Sequence, residues 1–202
     1  MSAVNQYIEK VQAQITDIKA NEGEGIEAAA KILSATLQND GIIYVFGTGH
    51  SQIFSLEMFY RAGGLVPVNP MLEQSVSMIN GMKSSFYERI PSIGKTIYNM
   101  SRMTEKDALI IVSHSGRNPM PIDLAKAAKE AGLPVITVVS DAFMQGITSR
   151  HESGKFVKDF ADVVIDNHCE LGDAVMQFEQ LPYKVVGTST ILSITILESI
   201  VA

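Results

Sequence analysis

Five short apolar runs that alternate with helical patterns restrict the fold of this 202-residue chain more than any other feature of its sequence. Each run is apolar on both faces, which is typical of a strand that helices cover from above and below. The stretches between several runs are long enough for crossover helices, so the sequence predicts an α/β protein with a five-stranded parallel sheet. The predicted strands are residues 42–46, 65–68, 108–112, 135–139 and 163–165.

Helical periodicity predicts two helices in the N-terminal segment, residues 1–40. The first carries an apolar stripe, and Glu22-Gly23-Glu24-Gly25 breaks the pattern before a second helix that ends at Asn39-Asp40-Gly41. About two heptads are too short for a stable free coiled coil, so the stripe packs either on its own domain or on a second subunit. Both alternatives stay open at this point. The stripe consists of Val4, Ile8, Val11, Ile15 and Ile18.

Helices are also predicted between and after the strands. Their bounds are residues 52–62, about 92–102, 119–131, and 189 to the end. The last pattern continues without a Gly, Lys or Pro to close it. We therefore expect that the natural chain extends beyond Ala202.

Composition limits the classes of partner. The chain is 46% hydrophobic, carries 16 Lys+Arg against 22 Asp+Glu, and has a net charge of −6 with no basic run. We therefore expect one globular domain over residues 1–202 that binds neither nucleic acid directly nor a membrane. The single cysteine, Cys169, cannot form an internal disulfide, and the N-terminus lacks the pattern of a secretory signal. Both features predict a cytoplasmic protein.

Two loops that follow predicted strands have the composition of an anion site. Gly47-Thr48-Gly49-His50-Ser51 follows the first strand, and Ser113-His114-Ser115-Gly116-Arg117-Asn118-Pro119 follows the third. Small residues let backbone N–H groups approach a ligand, hydroxyls add donors, and a helix N-terminus adds positive potential. Asn118 is expected to cap the next helix with Pro119 at its first position. A hydroxyl cluster, Thr188-Ser189-Thr190, opens the last helix, so the sequence predicts a site for an anion and favours phosphate.

Other motifs fit these loops less well. Gln52 stands where a dinucleotide fingerprint needs its third Gly, and no Lys-Ser/Thr pair completes a P-loop. Ile53 stands where a nucleophile elbow needs Gly, which leaves a serine hydrolase open only through the neighbouring pairs His50-Ser51 and His114-Ser115. The four histidines lack metal-ligand spacing, so neither a metal nor a cofactor is expected.

The runs FGTGHS, FYRAGGLVPVNP and SHSGRN resemble the sugar isomerase (SIS) domain family, and within it the bacterial proteins of uncharacterised protein family 0309. The resemblance implies a flavodoxin-like, three-layer α/β/α fold, binding of a phosphorylated sugar, and a homodimer or homotetramer. It also implies that hydroxyls of the three loops hold the phosphate. The residues that it assigns to substrate binding are Gly47, Gly49, His50, Ser51, Ser113, His114, Ser115, Asn118, Thr188, Ser189 and Thr190.

Members of that family include aldose–ketose isomerases, a sugar-phosphate ether lyase, and regulators that only sense phosphosugars. We therefore expect an isomerase or lyase that removes a proton next to a carbonyl, with a non-catalytic phosphosugar sensor as the alternative. Such chemistry needs a carboxylate or an imidazole as the base. Glu170 is similar in place to a Glu of the isomerase branch, His168 is its near neighbour, and Glu73 follows the second strand.

Overall fold

The computed structural model describes residues 2–202 and contains a five-stranded parallel sheet between two layers of helices. The strands are β1 (Ile43–Gly47), β2 (Val68–Met71), β3 (Ala108–Val112), β4 (Val135–Val139) and β5 (Val163–Asp166). Their order in the sheet is β2-β1-β3-β4-β5, with Ile43 of β1 paired to Val68 on one side and Ala108 on the other. The predicted fold class is confirmed.

The predicted strand bounds are correct where a strand lies inside the sheet and wrong at one edge. The strands β3 and β4 have the predicted bounds, and β1 is shifted by one residue. The edge strand β2 begins at Val68, where the prediction for that strand ended, and includes Pro70. An edge strand tolerates proline because only one of its sides must pair. The apolar run 65–68, which predicts this strand, therefore lies almost entirely before it.

Eight helices connect and flank the strands within the described residues. They are α1 (Ala3–Asn21), α2 (Gly23–Gln38), α3 (Gln52–Met58), α4 (Met82–Tyr87), α5 (Ile93–Ser101), α6 (Pro119–Glu130), α7 (Asp141–Met144) and α8 (Ser189–Val201). The predicted helix 52–62 is too long, because Phe59 adopts an extended backbone and Tyr60 has a φ of 46°. The short helices α4 and α7 were not predicted.

Each face of the sheet carries its own hydrophobic core. Along β1, Ile43 and Val45 pack toward α1, α2, α3 and α8, whereas Tyr44 and Phe46 pack toward α5 and α6. This alternation explains why the inner strands are buried at every position and almost entirely apolar, with Thr137 of β4 as the polar exception. It also places the helices that follow β1 and β3 on opposite faces of the sheet.

The N-terminal apolar stripe divides into a packed half and an exposed half. Ile18 is buried in the core, whereas Val4 and Ile8 are 66% and 48% exposed. Packing on a second subunit, in a homodimer or homotetramer, stays a prediction for the exposed half. Within residues 2–202, no helix combines the length and the apolar character that crossing a membrane requires.

Candidate functional site

The order of the strands places the two predicted loops side by side. After β1 the chain moves to the edge strand β2, and it then returns to form β3 on the other side of β1. Such a switch point opens a crevice at the carboxyl ends of the two central strands. Gly47 lets the first loop turn sharply there, since a Cβ at this position would lie 2.3 Å from the carbonyl oxygen of Ser51.

Ser51 and His114 join the two loops directly. The Ser51 Oγ lies 3.4 Å from Nδ1 of His114, and the His114 ring packs against the edge of Phe54 on α3. On its other side, His114 Nε2 lies 3.5 Å from the hydroxyl of Ser193 on α8. The imidazole therefore lies between the loop after β1 and the last helix.

The hydrogen-bond network assigns the tautomer of His114. The amide of Asn167 donates to Ser193 Oγ at 3.0 Å, which leaves the Ser193 hydroxyl hydrogen for His114 Nε2. The proton of the neutral ring is then on Nδ1, which donates to Ser51 Oγ. Ser51 consequently keeps its own hydroxyl hydrogen for a ligand. Because Nδ1 is a donor in this arrangement, His114 does not act as a base toward Ser51, and a serine hydrolase gains no support.

The electrostatic environment keeps His114 neutral. Burial of the ring lowers the pKa of His114 to about 4, attraction to Asp173 acts in the opposite direction, and repulsion from His50 adds to the lowering. Above pH 5 the imidazole is therefore uncharged. It can orient a hydroxyl, but it adds no positive charge to the site.

His114 should make the protein less stable in mild acid. Because its pKa is lower in the folded state, its contribution is complete above the unfolded pKa of about 6.5 and is lost as the pH falls toward 4. The expected loss is on the order of 3 kcal/mol in the free energy of unfolding. Urea unfolding at pH 7, 5.5 and 4.5 measures it. The variant His114→Gln should lose this part of the pH dependence, and equal pH dependence in both proteins would contradict the assignment.

The hydroxyls of the loop after β3 are available to a ligand. Ser113 and Ser115 donate to no protein group within residues 2–202, although Ser113 is largely buried. The prediction that Asn118 caps α6 through its side chain is wrong. Asn118 stands at the N-cap position, but its Oδ1 accepts from Nη1 of Arg150 at 2.8 Å. Pro119 does occupy the first helical position.

The N-terminus of α6 offers no free backbone donor at its first three positions. Pro119 and Pro121 have no N–H, and the N–H of Met120 donates to the carbonyl oxygen of Glu88 at 3.1 Å. The carboxylate of Glu88 in turn accepts the Thr48 hydroxyl at 2.6 Å. The segment after α4 thus lies against both loops.

A carboxylate of the protein itself caps the third predicted phosphate-binding cluster. Asp173 accepts from the backbone N–H groups of Thr188 and Ser189 at 2.9 and 2.8 Å and from the Ser189 hydroxyl at 2.6 Å. Gly187 permits this approach, because a Cβ there would lie 2.7 Å from Asp173 Oδ2. The hydroxyl of Thr188 is buried and has no partner in the described chain. Phosphate binding by residues 188–190 stays a prediction, and no periodic pattern in the sequence indicates the contact of Asp173 with this cluster.

Two of the three candidate bases lie in ion pairs away from the two loops. The carboxylate of Glu170 contacts Lys184 at 2.9 Å and Lys10 at 3.8 Å, and it is 40% exposed. His168 Nε2 contacts Glu22 at 2.9 Å, which links the start of α2 to the end of β5. No direct contact joins either residue to the loops after β1 and β3 in the described chain.

Glu73 has different surroundings. Within residues 2–202 its carboxylate accepts the hydroxyl of Ser75 at 3.4 Å and forms no ion pair, and the residue lines a cavity of about 300 Å³ between β2 and α5. Its carbonyl oxygen accepts from the side chain of Gln52 at 3.1 Å. Gln52 directly follows Ser51, so the loops after β1 and β2 are connected.

Comparisons with known proteins find a matching family model and similar proteins. The model of the SIS domain matches residues 6–140. A UPF0309 protein of Geobacillus kaustophilus is 38% identical over 200 residues, which cover 98% of this chain and 80% of the relative. A UPF0309 protein of Thermoanaerobacter pseudethanolicus is 41% identical over 202 residues, which cover 98% of this chain and 82% of the relative.

Solved structures share the fold at lower sequence identity. The phosphoheptose isomerase from Neisseria gonorrhoeae aligns with a TM-score of 0.66 at 16% identity, covering 98% of this chain and 94% of the isomerase. A phosphoheptose isomerase from Francisella tularensis aligns with a TM-score of 0.63 at 13% identity, covering 99% and 98%. At this identity the likeness shows a common fold.

Proposed function

The chain belongs to the SIS domain family, and on that premise we propose that it binds a phosphorylated sugar where β1 and β3 end. The observation that supports this most is the pair of loops at the switch point. There, Ser113 and Ser115 have uncommitted hydroxyls, and His114 leaves Ser51 free to donate. Hydroxyl donors grouped in this way suit the oxygens of a phosphate.

The proposed reaction is isomerisation or elimination that begins with removal of a proton next to the sugar carbonyl. We propose Glu73 as the base. A base needs a lone pair that is not already held by a cation: Lys184 and Lys10 contact the Glu170 carboxylate, whereas Glu73 forms no ion pair in the described chain. The His168 ring contacts Glu22 and neither of the two loops. It lines a cavity, and its loop is connected to the residue after Ser51. The two phosphoheptose isomerases share the fold of this chain, which supports a fold that can accommodate such chemistry.

Thermal unfolding in the presence of sugar phosphates tests the binding proposal. The panel contains phosphates of hexoses, hexosamines, N-acetylmuramate and heptoses, with the same sugars without phosphate as controls. A ligand at 100 times its dissociation constant adds about 2.7 kcal/mol of stability. For a chain of this size that corresponds to a rise in Tm of roughly 5–10 °C. An equal response to the phosphorylated and unphosphorylated sugars would contradict phosphate recognition.

A further inference from the structure

Three arginines lie around the loop after β3 without a carboxylate partner. Arg117 belongs to that loop, Arg150 donates its backbone N–H to the carbonyl oxygen of Arg117 at 2.8 Å, and Arg89 directly follows Glu88. Because Glu88 contacts both Thr48 and Met120, Arg89 is held next to the same crevice. None of the three forms an ion pair within residues 2–202.

Such a group of cations is unexpected in an acidic chain. Carboxylates outnumber Lys and Arg by 22 to 16, and Arg61 elsewhere contacts both Glu57 and Glu198. Near the crevice, by contrast, Glu88 is the carboxylate that acts on Arg150, and it already accepts the Thr48 hydroxyl. Two further guanidinium groups and one carboxylate therefore act on Arg150, and such a group of cations favours an anion from outside the chain.

The guanidinium groups also affect one another. The pKa of Arg150 is lowered by partial loss of solvent around its guanidinium group first and then by repulsion from Arg117 and Arg89, with Glu88 acting in the opposite direction. The Nε atom of Arg117 is buried and has no hydrogen-bond partner in the described chain. A buried donor without a partner is costly, and a bound anionic group would relieve both this cost and the repulsion.

The backbone N–H groups at the starts of α6 and α8 are not available to bind this anion. The early N–H groups of α6 are absent or bonded to Glu88, and those of Thr188 and Ser189 are bonded to Asp173. His114 is neutral near pH 7. The full positive charge at the loop after β3 is therefore that of arginine side chains, since Arg117 belongs to the loop and Arg150 Nη1 donates to Asn118 Oδ1 at 2.8 Å.

We propose that Arg89, Arg117 and Arg150 bind a second anionic group of the phosphosugar, so that the substrate carries a further phosphate or a carboxylate besides the phosphate at the serines. This inference rests on the proposed function, and it narrows the substrate class to sugar phosphates with two acidic groups. Arginine is suited to this role because its planar fork binds either group in a bidentate manner.

Titration calorimetry with three related probes tests the inference. The probes are glucose 6-phosphate, glucose 1,6-bisphosphate, and 6-phosphogluconate, whose second group is a carboxylate. The wild type should bind at least one of the two doubly acidic probes about 10- to 100-fold more tightly than glucose 6-phosphate. In Arg89→Gln/Arg150→Gln that preference should disappear, while affinity for glucose 6-phosphate stays nearly unchanged. Arg89 and Arg150 are exposed, so the double variant should keep its fold, which a thermal melt checks. Because Arg150 also donates to Asn118, unchanged affinity for glucose 6-phosphate is the check that the loop after β3 is intact.

A matched control removes two other positive charges. Arg102 and Lys106 are exposed near the amino end of β3, whereas the crevice lies at the carboxyl ends of the strands. The variant Arg102→Gln/Lys106→Gln should therefore keep the preference for a doubly acidic probe. Equal affinity of the wild type for all three probes, or a preference that survives in Arg89→Gln/Arg150→Gln, would overturn the second anion site alone. No binding of any probe would count against phosphosugar binding as well.

Discussion

Replacing both Ser113 and Ser115 by alanine is expected to weaken phosphosugar binding by roughly 100-fold or more. A hydrogen bond to a charged group contributes about 1.5–3 kcal/mol, and both hydroxyls are free of protein partners in the described chain. Two such bonds together contribute about 3 kcal/mol or more, which is roughly 100-fold in Kd because 1.4 kcal/mol corresponds to a tenfold change. Titration calorimetry with the sugar phosphate that gives the largest thermal shift measures the loss.

The serine variant needs a control for nonspecific effects of removing hydroxyls. Ser34 and Ser199 are exposed on α2 and α8, so Ser34→Ala/Ser199→Ala removes two hydroxyls outside the crevice and should bind normally. A Tm near that of the wild type would show that Ser113→Ala/Ser115→Ala is folded. Unchanged affinity in that folded protein would show that the phosphate binds elsewhere.

The sequence predicts the inner part of the sheet well because burial there is uniform. The strands β3 and β4 are covered on both faces, so every residue is buried, all but Thr137 are apolar, and the run has the length of the strand. The edge strand β2 pairs on one side only, so its residues need not all be apolar. It includes Asn69 and Pro70, which do not look like strand residues, and only its pairing with β1 identifies it.

The candidate site is predictable where its residues are close in sequence and not where they are distant. The loops after β1 and β3 are recognisable because glycines and hydroxyls follow an apolar run. The contact of Asp173 with α8 depends on an irregular segment with no periodic pattern, and the contact of Glu88 with Thr48 joins residues 40 positions apart. These long-range contacts determine which backbone N–H groups remain for a ligand. An analysis of sequence alone therefore assigns too much of the phosphate binding to helix N-termini.

The same distinction applies to the candidate bases. Glu170, His168 and Glu73 all follow strands, and the sequence alone does not separate them. Their contacts in the structure do, because lysines hold the Glu170 carboxylate and the His168 ring contacts Glu22 rather than either loop. Glu73 is distinguished by its surroundings rather than by its position in the chain.

Replacing Glu73 by glutamine is expected to stop proton transfer while leaving phosphosugar binding nearly intact. Glutamine keeps the size of the side chain and loses its basicity, and a positioned base contributes roughly 10²–10⁴-fold to the rate. The measurement is exchange of the substrate C–H proton in deuterated water, which requires no knowledge of the product because an enediol intermediate labels the carbon next to the carbonyl. The exposed Glu105 provides the control variant Glu105→Gln, which should exchange at the rate of the wild type.

Each outcome of the exchange experiment has a separate meaning. Full exchange in Glu73→Gln would contradict its assignment, and a loss in Glu170→Gln or His168→Gln instead would identify the base among the ion-paired candidates. A wild type that binds the sugar phosphate but exchanges no proton over hours would be a sensor rather than an isomerase or lyase. Exchange that falls only in Glu73→Gln, at unchanged Kd, would place the proton-transfer step at the carboxylate beside β2 and α5.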